Sequence, residues 1–221
     1  MSPAMIPLPA RESLPDDEML RRSAAFCQMM CRRRSVRDFS DRPVPRRVIE
    51  DAVRVAASAP SGANCQPWHF VVVEDALVKA RIRAAAEEVE RQFYAGRAGP
   101  QWLAALAPLG TGPEKPFLTA APYLIAVFEE RYGIAPDGTR ITHYYPRESV
   151  GIAVGMLITA LHNAGLGVLT YTPAPMDFLA DILHRPPNER PFVLVVTGHP
   201  APQATVPDIS RKRLEDVLTF V

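Results

Sequence analysis

The first residues with visible chemistry lie in the run RRRSVRDFSDRPVP, where Arg33, Arg34, Ser35 and Arg37 crowd together between two helical stretches. Guanidinium groups are planar, permanently charged and bidentate, and with a hydroxyl beside them they suit a phosphate. The same residue types also make an ordinary solvated basic turn. Some two dozen residues on comes APSGANCQPW, residues 59–68, in which Pro60, Ser61 and Gly62 form a turn. Its backbone amides can face a flat ligand, and Ser61 and Asn64 offer side-chain hydrogen bonds. It lacks the Lys-Ser/Thr ending of a phosphate loop, and GLG at 165–167 is no dinucleotide fingerprint. TYTP at 170–173 puts the hydroxyls of Thr170 and Thr172 on one face of a strand. That arrangement suits either routine strand positions or the wall of a site. SRKR at 210–213 places a second basic cluster, with Arg211, near the C-terminus.

These segments must be held by elements that the apolar spacing predicts. Residues 1–16 are Pro-rich and read as a loose arm. Leu20, Ala24, Cys27 and Met30 recur at helical spacing from Asp17 to about Arg33. A second helix runs from about Pro45 to Ser58, with Val48, Ile49, Ala52, Val55 and Ala56 as its apolar face. HFVVVE reads as a strand, and a helix follows from about Leu77 to Tyr94. Residues 95–115 mix Gly and Pro with a short apolar island, a composition suited to a mobile segment. APYLIAVFEE is a strand, ESVGIAVGMLITALHNAG an apolar helix stopped by Gly165, GVLTYT a strand, MDFLADIL a short helix and FVLVVTGHP another strand. The tail ends in alternating apolar residues suited to a strand or a partner contact. Helices and strands interleave without a strict βαβ rhythm, which predicts an α+β fold in one domain over 17–221.

Composition narrows the function classes. The chain has 221 residues and a formal net charge of +1, so nothing points to nucleic acid or an anionic membrane as its main ligand. Lys79, Lys115 and Lys212 are the only lysines among 25 basic residues. Three cysteines, Cys27, Cys31 and Cys65, fit no disulfide framework and no metal site; the first two are expected to pack structurally. The N-terminus has no basic start followed by an apolar run, and no stretch reaches membrane-spanning length, which predicts a cytoplasmic protein.

In order and spacing, RRSVRDFSDRPVP, APSGANCQPWHFVVVED, THYYPRESVGIAVGMLITALHNAGL, TYTP and ATVPDISRK resemble the nitroreductase superfamily, and within it the iodotyrosine deiodinases. The resemblance covers some 190 residues, from residue 30 to the C-terminus. It implies a central, mostly antiparallel sheet flanked by helices, an intertwined homodimer with residues 200–221 packed on the partner, and FMN held non-covalently at the dimer interface. It assigns Arg33, Arg34, Ser35, Arg37 and Arg211 to the FMN phosphate and ribityl chain, with Lys212 an alternative to Arg211. Pro60, Ser61 and Gly62 would flank the flavin, Thr170 would face it, and Thr172 would place its hydroxyl near flavin N5. Glu90, Tyr94 and Lys115 match a trio that grips the zwitterion of an amino-acid substrate, beside a lid over 95–115. The Ala63 amide would meet the substrate phenolate. The implied reaction is reductive dehalogenation of iodo-, bromo- or chlorotyrosine, with electrons from NAD(P)H or a separate reductase. A general NAD(P)H-dependent nitro- or quinone reductase is the alternative. Gln66, in the NCQPW form, departs from the deiodinase pattern.

Overall fold

The computed structural model describes residues 4–221, and its internal contacts group residues up to Arg33 apart from Arg34–Val221. The first group carries α1, Asp16–Cys31, with Asp16, Asp17 and Glu18 complementing its N-terminal dipole. None of its residues is buried, and Leu20 and Phe26 stand open to solvent. Cys27 and Cys31 are exposed, with their sulfurs 3.9 Å apart, so they do not pack structurally within the chain.

The second group is built on a four-stranded antiparallel sheet of order β1-β2-β6-β5: Trp68–Val73, Tyr123–Glu130, Glu189–Gly198 and Gly167–Tyr171. The central strands are apolar on both faces because helices cover both. Ile125, Val127, Val193 and Val195 face α2 (Arg46–Ala57) and α6 (Pro146–Asn163), burying Ile49, Ala52, Val150 and Leu157. Their alternates Leu124, Ala126, Phe128, Leu194 and Val196 share the opposite core with Ile82 of α3 (Ala76–Gln92), Leu118 of α5 (Phe117–Ala120) and Leu179 of α7 (Phe178–Ile182). Val55, expected on the buried face of α2, is 41% exposed.

Local signals set the ends of these helices. The Asp75 side chain accepts from the Val78 amide at 2.8 Å and caps α3. Gly165, at φ +80°, stops α6: its amide donates to the His162 carbonyl, and the Leu166 amide reaches back to Leu161.

Three stretches carry detail that the apolar spacing leaves open. Residues 95–115 contain a short helix α4, Pro100–Leu106, followed by a 3₁₀ turn at Ala107–Leu109. A hairpin pairs β3 (Tyr132–Ile134) with β4 (Arg140–Thr142). The tail forms no strand; it is irregular apart from a 3₁₀ turn at Leu214–Asp216, and Leu214, Val217 and Phe220 are exposed. An extended tail strand would need an edge to pair with, and β5 already uses its outer side to bridge Ser35. No helix of the described residues is long and apolar enough to cross a membrane.

Candidate active site

A cavity of about 340 Å³ opens between α3, the 93–111 segment and the end of β5. Glu90, Tyr94, Lys115, Thr170, Thr172 and Arg37 all line it, with Phe93, Trp102 and Leu109 as its apolar wall. Helix α3 delivers Glu90, then loosens into a π-helical turn over Phe93–Arg97 that carries Tyr94. The Tyr94 hydroxyl donates to the Thr111 carbonyl at 3.1 Å, tying the start of the segment to its end. Phe93 stacks edge-on against Trp102, 5.1 Å between ring centroids.

The charges form an ion pair on the cavity wall. Lys115 is 3% exposed, and its ammonium stands 3.3 Å from a Glu90 carboxylate oxygen. It also donates to Thr111 Oγ1 at 3.2 Å and to the Gly112 carbonyl at 2.5 Å. The other Glu90 oxygen accepts the Tyr171 hydroxyl at 2.9 Å. Burial lowers the Lys115 pKa from the ordinary lysine value; Glu90 opposes that shift and the nearby Arg37 charge adds to it. Behind this pair, Glu87 accepts from the Lys115 backbone amide at 2.8 Å and from Arg83 at 2.7 Å. Burial works against the Glu87 charge, yet these two donors hold its carboxyl below the ordinary value.

The basic run lies at the start of the second group. Ser35 bridges Val168 of β5, and the Val36 amide donates to the Val168 carbonyl, so Arg37 comes up beside the strand that carries Thr170 and Thr172. The half-buried Arg37 guanidinium has no hydrogen-bond or ion-pair partner among the described residues. Arg34 donates to the Pro207 carbonyl, which fastens the tail that carries Arg211 beside the run. Arg33 closes the first group, its amide donating to Met30. Thr170 and Thr172 are exposed, whereas Tyr171 between them is buried.

The turn at 60–63 stands elsewhere. Gly62 bridges Tyr144 ahead of α6, and a Cβ on Gly62 would strike the Tyr144 carbonyl. Its amide donates to Ser149 Oγ at 3.3 Å, and Ser61 Oγ accepts from the Gln66 amide at 3.0 Å. Ala63 and Asn64 follow in the left-handed region, at φ 48° and 55°. This turn leads into β1, and the cavity lies at β5, so three strand spacings, roughly 14 Å, separate them across the sheet. None of Pro60, Ser61, Gly62 and Ala63 lines the cavity.

Residues 31–199 match the model of the nitroreductase family. The chain belongs to the nitroreductase family. Within it, the chain is 54% identical over 210 residues to the iodotyrosine deiodinase of Haliscomenobacter hydrossis, covering 95% of this chain and 94% of that one. It is 44% identical over 219 residues to the iodotyrosine deiodinase of Nematostella vectensis, covering 97% and 82%. A crystal structure of oxidised iodotyrosine deiodinase bound to FMN and 3-iodo-L-tyrosine superposes with a TM-score of 0.74 at 32% identity, over 88% of this chain and all of that one. The α+β nitroreductase fold, with its antiparallel sheet between helices, is therefore the fold of this chain.

Two features of this nitroreductase escaped the sequence reading. Tyr171 sits between two threonines, and a large aromatic at an inward strand position is the signal for a packed neighbour. His69, Glu130 and Glu189 bring ligand-type atoms within 4.8 Å of one another, although both Glu189 oxygens already accept from Arg185.

Proposed function

We propose that this nitroreductase is an FMN-dependent dehalogenase that replaces the halogen of iodo-, bromo- or chlorotyrosine with hydrogen and releases halide. The observation that carries this reading is the convergence of Glu90, Tyr94 and Lys115 on one cavity with Thr170, Thr172 and Arg37.

The residues fit FMN. An unpaired, half-buried guanidinium at Arg37 calls for an anion, and Arg34, Ser35 and the tail with Arg211 lie along the same edge. The exposed hydroxyls of Thr170 and Thr172 supply neutral donors on one strand face, and the family resemblance assigns Thr172 to flavin N5. When bound, FMN supplies the electrons that cleave the carbon–halogen bond; the protein binds, orients and excludes water. The net change consumes two electrons and one proton for each halide released, and NAD(P)H or a separate reductase would renew the electrons.

The amino-acid end of the substrate enters by exchange. Its ammonium takes the place of Lys115 at Glu90, and its carboxylate meets Lys115 and the Tyr94 hydroxyl. One ion pair thereby becomes two, with no charge left buried alone. Residues 95–115 then act as a lid whose closure strengthens those contacts by removing water.

Pro60, Ser61, Gly62 and Ala63 touch the same flavin and substrate only if a second copy supplies them, because in one chain they sit across the sheet from the cavity. A homodimer follows, with the open apolar residues of α1 and the tail at 200–221 as its arms. Three cysteines outside any disulfide fit a cytoplasmic setting.

The test is to reduce the FMN-loaded protein with dithionite and supply 3-iodotyrosine and a nitroarene separately. Tyrosine and iodide should appear together. Rapid nitroarene reduction with inert iodotyrosine would favour a general nitro- or quinone reductase.

A further inference from the structure

We propose that Tyr171 is a positioning residue: its hydroxyl fixes the Glu90 carboxylate for the substrate ammonium and ties the amino-acid clamp to the strand carrying Thr170 and Thr172. This inference rests on the dehalogenase reading and names a residue of the cavity wall that works through Glu90.

The geometry is local and specific. Strand alternation sends Thr170 and Thr172 to one face and Tyr171 to the other. On that inner side the Tyr171 ring is 8% exposed and packs edge-on against Phe117, 5.6 Å between centroids. Its hydroxyl donates to Glu90 Oε1 at 2.9 Å, and Glu90 Oε2 faces the Lys115 ammonium at 3.3 Å. The two carboxylate oxygens thus have different partners, one fixed and one exchangeable. Lys115 Nζ also lies 5.6 Å from the Tyr171 ring centroid and 5.9 Å from that of Tyr94, between two aromatic faces.

The consequence concerns orientation. Without the hydroxyl, both oxygens of Glu90 are free to turn onto Lys115, and the entering ammonium must break a tighter pair. With it, one oxygen stays turned toward β5 while the other is offered to the cavity. Burial raises the phenol pKa, so the group remains a donor at neutral pH. The strand that positions the Thr172 hydroxyl therefore also positions the carboxylate that receives the amino-acid end, which sets the distance between substrate backbone and flavin.

The test uses the FMN-loaded holoenzyme and its Tyr171→Phe variant, which keeps the ring against Phe117. Affinity is measured for 3-iodotyrosine and for 2-iodophenol, which has no zwitterion, together with FMN content. Loss of one hydrogen bond to a charged group should raise the Kd for 3-iodotyrosine roughly tenfold. The Kd for 2-iodophenol and the FMN content should stay the same. A double-mutant cycle with Glu90→Gln should be strongly non-additive, which a merely structural role would not produce. An unchanged 3-iodotyrosine Kd, equal losses for both ligands, or additivity overturns the proposal. If the variant loses FMN or melts early, a crystal structure of the wild-type holoenzyme with 3-iodotyrosine decides. A Tyr171 hydroxyl still bonded to Glu90 supports the inference, and separation of the two overturns it. Failure of the wild type to release iodide would instead remove the dehalogenase reading, so the two failures are distinct.

Discussion

Two lysines of this chain are buried to a similar degree and do opposite things. Lys79, on the inner face of α3, is 8% exposed and donates to the main-chain carbonyls of Ala121 at 2.9 Å and Pro122 at 3.5 Å. Lys115 is 3% exposed and faces a carboxylate across a cavity. Burial lowers the pKa of both. The difference lies in the partner. Carbonyls at the junction of α5 and β2 cannot leave Lys79, whereas Glu90 is a side-chain counter-charge that, in the proposed function, trades Lys115 for an incoming ammonium. Burial and a shifted pKa alone do not mark a functional cation; a displaceable counter-charge beside an open volume does.

The largest effect expected is on Lys115. Lys115→Ala leaves the half-buried Glu90 without its cation and removes the group proposed to meet the substrate carboxylate. Its 3-iodotyrosine Kd should rise at least about 100-fold, while FMN content, read from flavin absorbance, stays at the wild-type level. Equal affinity in that variant would break the comparison, because Lys115 would then be another structural lysine.

Lys79→Ala should show the reverse. It unties α3 from the segment ahead of β2, and denaturant unfolding of the FMN-loaded protein should report a loss of about 2 kcal/mol. The 3-iodotyrosine Kd should not move. A binding defect without a stability defect would mean that Lys79 communicates with the cavity.

How much of this was readable without coordinates differs from element to element. The main strands and helices were legible, because an apolar run or a 3.6-residue stripe determines each of them locally. Their arrangement was not, since the order β1-β2-β6-β5 arises from pairings between residues far apart in sequence. The β3–β4 hairpin was missed although Asp137-Gly138 is a turn signal, with Gly138 at φ +84° and Asp137 accepting from Thr139. Helix α4 was hidden by flanking Gly and Pro. The trio Glu90, Tyr94 and Lys115 was found by resemblance, because no local pattern announces that residues 90 and 115 will meet. Lys79 shares a stripe with Ile82 and Ala86, where a lysine needs acceptors close by.

The smallest effect sharpens the comparison through pH. For both lysines the folded pKa lies below the ordinary value of 10.5, so the unfolded chain binds more protons as pH approaches that value. Stability then rises with pH in the window below 10.5, by at most about 1.4 kcal/mol per pH unit for each group. Tyr171 acts in the opposite sense above pH 10, because its raised folded pKa keeps a proton that the unfolded chain has lost. Taking differences between wild type and Lys79→Met, or between wild type and Lys115→Met, cancels that contribution. Each difference should grow in favour of the wild type between neutral pH and about pH 10. Saturating 3-iodotyrosine separates the two lysines: a substrate carboxylate beside Lys115 restores its proton and flattens its slope, whereas Lys79 has no ligand to respond to. Melting curves across that pH range, with and without ligand, should therefore lose the Lys115 slope and keep the Lys79 slope. Identical slopes with ligand bound would mean that the substrate carboxylate lies elsewhere.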